Sequence, residues 1–138
     1  MPGAATLASL PCDSAVCEVH AVIGFVIVGG WALLLLWGAG AFALRREPNP
    51  WFWRLLGTLQ GVLILQIVVG IVLLTLGHRN DWLHYLYGSV FPAIVLVIAH
   101  VLARGLDDER DRWKVFAVAA FFVFGLTLRA LMTGLGLG

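Results

Sequence analysis

Charged side chains are scarce in this 138-residue sequence. Asp, Glu, Lys and Arg together make up 12% of it, about half the share usual in soluble domains. Nine Lys/Arg against eight Asp/Glu leave a net charge of +1, so the basic footprint of a nucleic-acid-binding protein is missing. No phosphate-binding glycine loop, no H-E-x-x-H and no serine-nucleophile elbow occurs. What fills the sequence instead is apolar: 61% of its residues, with a mean hydropathy of +0.95. A chain this small cannot hide that much apolar surface from water, and it is too hydrophobic for disorder. It belongs in a membrane.

Four apolar stretches reach the roughly 20 residues that a membrane-crossing helix needs: 21–44, 55–77, 82–103 and 115–137. The first three carry no formal charge and the fourth only Arg129. Runs such as LLLL and VLIL, with glycine scattered among them, lack the two-residue alternation of barrel strands. The expected fold is all-α, a four-helix transmembrane bundle in one domain. Arg45, Arg46 and Arg54 fall in the first connection, and Arg104, Arg110, Arg112 and Lys114 in the third. The second holds Arg79 alone. The positive-inside rule then places both termini outside the cytoplasm, with the chain as a multi-pass protein of the cell membrane. Trp51, Trp53, Trp82 and Trp113 mark span ends as an aromatic belt would. The N-terminal segment has no basic n-region and its apolar run is too long for a cleaved signal, so it is expected to stay as a helix.

Cys12 and Cys17 precede the first span on that outer side. A C-x4-C pair in an oxidising compartment is expected to form a disulfide. Free thiols are the alternative. A metal site would need more ligands than Glu18 and His20 add nearby. Of the histidines, His20, His78 and His84 belong to the outer ends of helices. His100 lies 16 residues beyond His84, about 24 Å deeper. A histidine at a span end is cheap and often serves no chemistry. Two of these have a further feature, for Gly24 follows His20 by four residues and Gly88 follows His84 by four. On a helix that spacing puts each glycine on its histidine's face, where a missing side chain leaves room for a flat macrocycle. Close helix packing is the competing use of such glycines.

Arg129 sits about 21 Å along the fourth span, a depth where a cation either snorkels to the surface or meets a buried anion. A heme propionate would suit its planar guanidinium. Gln66 and Gln60 on the second span are expected to make interhelical hydrogen bonds, and Gly57-x-x-x-Gly61 to serve close packing. The run 107–112 is a solvated charged loop.

Leu59-Gln60-Gly61, Leu65-Gln66-Ile67-Val68-Val69-Gly70 and then Leu83-His84 resemble the helix pair in one half of heme A synthase, and more loosely the four-helix cores of b-type cytochromes. That family sets a cysteine pair in an extracytoplasmic segment. A helix with a ligand histidine near its outer end follows, then a helix without one, then a helix opening on a second histidine. Cys12, Cys17, His20 and His84 stand in that order over residues 12–103. The resemblance implies heme b held by His20 and His84 as axial iron ligands. It departs from the family at Glu18, two residues rather than three before His20, and at Ala21, where the family has arginine. Two halves make up a full-length member, so a chain of this size would act beside other membrane subunits or as a homo-oligomer. Electron transfer or a cofactor-bearing role in a membrane redox complex is therefore expected. The alternatives are a cofactor-free structural subunit and a compact heme-modifying enzyme.

Overall fold

The structure, a computed structural model, describes residues 14–137. It is helical, and no strand occurs among the described residues. Four helices are long and apolar enough to cross a membrane. They are α1 (Ala15–Leu44), α2 (Pro50–Thr75), α3 (Trp82–Arg104) and α4 (Arg112–Gly134), with a 3-10 turn at Glu109–Asp111 before α4. At 1.5 Å per residue they run about 34–45 Å, enough for a hydrocarbon core of about 30 Å. Successive helices run in opposite directions. The start of α1, the α2–α3 link and the end of α4 therefore share one end of the bundle, here the histidine end. The two arginine-rich links share the other.

Local chemistry sets where each helix begins and ends. Ser14 caps α1, its extended backbone leaving the side chain to accept the Cys17 N–H at 3.4 Å. The helix thus starts ahead of the expected residue 21 and takes Cys17 and His20 into its first turns. Asn49 accepts the Trp51 N–H at 2.9 Å and Pro50 occupies the first helical position, where its missing N–H costs nothing. That start, ahead of residue 55, draws Trp51 and Trp53 into α2. At the far end Gly77 adopts φ 91°, and the His78 N–H returns to the Leu73 carbonyl at 3.0 Å. His78 is thereby folded back over the end of α2. Gly136, at φ 76°, closes α4 in the same manner with Leu137 N–H on Met132 O at 2.8 Å, so α4 stops short of residue 137.

α3 is not uniform. Between Trp82–Tyr85 and Phe91–Arg104 lies a π-helical turn, Leu86–Val90, in which the Phe91 N–H bonds back five residues to the Leu86 carbonyl. Pro92 explains its position. Proline has no N–H for the carbonyl of Gly88, and its ring would press on that carbonyl in a regular helix. A wider turn just before it relieves the conflict. Such turns often sit beside functional sites, and this one begins two residues after His84.

Packing is uneven along the bundle. α1 lies against both α2 and α4, and α3 lies against α4. Trp31, Leu34, Phe52, Ala120 and Val123 are fully buried, and the apolar cluster around them fills the middle and the arginine end. A Cβ on Gly38 would stand 2.6 Å from the Cβ of Ala117, so α1 and α4 touch almost backbone to backbone there. α2 and α3 share little backbone contact and are joined near the arginine end, where His100 Nε2–H donates to Gln60 Oε1 at 2.7 Å. Outward-facing Leu36, Ile64, Val97 and Phe121 are exposed, as suits lipid contact. At the arginine end Asp108 accepts the Arg110 backbone N–H at 2.9 Å. That bond, with the Arg110 guanidinium, holds its carboxyl below the usual carboxylate range.

Candidate functional site

At the histidine end the helices part, leaving a cavity of about 530 Å³ among all four. The volume is that of a small-molecule or cofactor site. Its walls are mostly apolar, with Ile27, Leu63, Ile67 and Leu131 among them, while Glu18, His78, Arg79, Asn80 and Tyr85 supply polar groups. The expected residues His20, Gly24, His84 and Gly88 all line it.

The imidazoles of His20 on α1 and His84 on α3 meet there, ring centroids 6.1 Å apart and planes at 70°. Each ring rests on a glycine of a neighbouring helix. A Cβ on Gly70 of α2 would lie 3.3 Å from His20 Cε1, and one on Gly134 of α4 would lie 2.9 Å from His84 Cε1. These two glycines were not legible as site residues, because the contact runs between helices and their spacing to the histidines in sequence is large. Gly24 and Gly88 do other work. A Cβ on Gly24 would stand 3.4 Å from Gln66 Nε2, and one on Gly88 would stand 3.5 Å from the Cβ of Ala130. Gly24 admits a side chain from α2, and Gly88 brings α3 close to α4.

The hydrogen bonds of the two histidines differ. His84 Nδ1 lies 2.8 Å from the Ala130 carbonyl oxygen. A carbonyl can only accept, so Nδ1 carries the proton and Nε2 keeps its lone pair. Thr133 Oγ1, 3.3 Å from the same nitrogen, donates to the Ala130 carbonyl as well. Gly134 permits this bond, since a side chain there would push the ring off the α4 backbone. Metal-ligating histidines are held by this kind of bond. His20 Nδ1, by contrast, is buried with no hydrogen-bond partner. So is Gln66 Oε1, although the same amide donates through Nε2 to the His20 carbonyl at 2.7 Å. Leaving a buried polar atom unpaired costs on the order of 1–3 kcal/mol, and both of these atoms belong to residues that line one cavity.

His78 also lines the cavity with its Nδ1 buried and unpartnered. Yet no three of His, Cys, Asp and Glu converge to hold a metal ion among the described residues. Arg129 is half-buried on α4 but is not part of the cavity wall, whereas Arg79 is. Cys17 is buried beside the cavity, and Cys12 lies outside the described residues. Comparison with known proteins returns no matching family model, curated protein or solved structure.

Proposed function

We propose that this is a small b-type heme-binding membrane protein with His20 and His84 as axial ligands. The observation that carries the proposal is the ring pair at 6.1 Å. A metal–imidazole bond is about 2 Å long, so rings at this separation would both be within reach of one iron held between them. A bare ion needs three or four protein ligands, and among the described residues no group of three His, Cys, Asp or Glu comes together around the two imidazoles. Heme iron comes with its porphyrin nitrogens as ligands, so His20 and His84 would suffice to hold it. The glycine cradle, the lone pair kept on His84 Nε2 and a largely apolar cavity of suitable size agree with it.

Heme, when bound, would supply one-electron redox chemistry. The residues of this chain would orient the group: Ala130 and Thr133 fix the His84 ring, and apolar side chains make up most of the wall around it. Arg79 at the cavity wall is better placed than Arg129 to meet a propionate. The skewed distribution of Lys and Arg supports an orientation with the histidine end and both termini on the extracytoplasmic side of the cell membrane, where a Cys12–Cys17 disulfide would form. A single site near one face does not relay electrons across the bilayer. The protein would therefore work in electron transfer or as the cofactor-bearing subunit of a larger membrane redox complex, or as a homo-oligomer.

The test is the visible spectrum of histidine variants. His20→Ala and His84→Ala should each abolish a low-spin heme spectrum or turn it high-spin. His78→Ala and His100→Ala should leave it intact. Loss of heme on His78→Ala but not on His84→Ala would refute the ligand pair. Conversion of added heme to another product would favour a heme-modifying enzyme.

A further inference from the structure

Gln66 is a half-buried polar side chain in the middle of a span that the ligand pair leaves without a role. Its amide is anchored: Nε2 donates to the backbone carbonyl of His20 at 2.7 Å, passing over Gly24, whose missing side chain gives it room. The anchoring fixes which end of the amide is which, since a carbonyl can accept only from the nitrogen. The other end, Oε1, is a buried acceptor without a donor. His20 Nδ1, on the very residue that anchors the amide, is a buried ring nitrogen without a partner. On α3 the corresponding nitrogen of His84 is already held by the Ala130 carbonyl.

We infer that Gln66 is the positioning residue for His20, its Oε1 accepting the Nδ1–H of that ring. Resting on the heme proposal, this assigns the tautomer of the first ligand as the Ala130 carbonyl assigns that of the second. The Gln66 side chain already lies close enough to act on the His20 ring, and this bond would satisfy both unpaired atoms. Nε2 is then the nitrogen that keeps its lone pair. Both ligands would be backed by neutral carbonyl-type acceptors, one from a side chain of α2 and one from the backbone of α4. Partners of this kind orient a ligand and raise its basicity, and their removal typically costs 10–100-fold in affinity.

Two measurements on the full-length protein in detergent or bilayers test it. In heme-loaded protein, Gln66→Met keeps the volume but removes the acceptor. It should weaken heme binding by about 10–100-fold and raise the midpoint potential. Gln66→Glu keeps an oxygen acceptor and adds charge, so it should retain more heme than Gln66→Met and lower the potential below the parent's. Gln60→Leu, at the opposite end of α2, should change neither. In heme-free protein, imidazole ¹⁵N spectra should show His20 with its proton on Nδ1 in the parent and a mixed tautomer in Gln66→Met. A parent that binds no heme but shows this tautomer shift would refute the heme proposal and support the hydrogen bond. Heme-binding variants with parental affinity, potential and tautomer would overturn the role of Gln66 and leave the ligand pair standing.

Discussion

Gly134 shows how much of the site depends on side chains that are absent. A Cβ at that position would lie 2.9 Å from His84 Cε1 and 3.3 Å from Nδ1, so Gly134→Val should push the ring off the Ala130 carbonyl. The expected result is a 10–100-fold loss of heme affinity, read by heme titration, with both histidines still present. Gly24→Leu should also lower affinity, but by displacing the Gln66 amide. Its mark would be a changed His20 environment with His84 unaffected, resolved by the imidazole ¹⁵N spectra. The two cationic residues make a second contrast. Arg79 lines the cavity and Arg129 does not. Arg79→Leu should therefore weaken retention of heme but not of a heme ester lacking free carboxylates, while Arg129→Leu leaves both unchanged. Loss in Arg129→Leu without loss in Arg79→Leu would return the propionate role to Arg129.

Among the elements, α3 carries the most specific design. Its π-helical turn at Leu86–Val90 adds a residue between His84 and the regular segment from Phe91. Deleting Ser89 removes that residue and should turn His84 by about 100° relative to the segment packed against α4. The predicted outcome is a helical protein by circular dichroism that no longer forms the bis-histidine spectrum. The α1–α4 contact at Gly38 and Ala117 serves stability instead. Gly38→Leu should destabilise the bundle by about 1–3 kcal/mol, the usual cost of overpacking, measured by unfolding in mixed micelles. The arginine-end turn has a pH dependence of its own. Asp108 is held below its ordinary pKa by the Arg110 N–H. The stability it adds is thus fully present above about pH 4 and fades as the pH falls through its folded pKa. Asp108→Asn should flatten the stability profile there.

For the molecule as a whole, hydropathy was enough to expect four membrane helices, because the length and apolarity of a span are properties of a continuous stretch. The helix ends were harder to read. Ser14 and Asn49 draw α1 and α2 out beyond their apolar cores, and such caps weigh little in a hydropathy window. Pairing His20 with His84 was legible from their common depth, since both open helices that start at the same end. The cradle was not, because Gly70 and Gly134 matter through which helices are neighbours, and α1–α2 and α3–α4 adjacency is a tertiary fact. Gln66 was visible as a polar residue in an apolar span, but its tie to His20 was not. The orientation of the bundle yields its own prediction. With the histidine end outside, an impermeant thiol reagent added after reduction should label Cys12 in intact cells, and the buried Cys17 more slowly. Labelling only after lysis would invert the bundle.

The central claim is that His20 and His84 share one heme iron, and the electron paramagnetic resonance spectrum of the oxidised protein addresses it most directly. Protein extracted gently from heme-replete membranes should give a low-spin ferric signal of two axial imidazoles. A sharp α-band should appear on reduction, and both features should vanish in His20→Ala and in His84→Ala. A colourless protein, or a low-spin heme indifferent to both substitutions, would contradict the account.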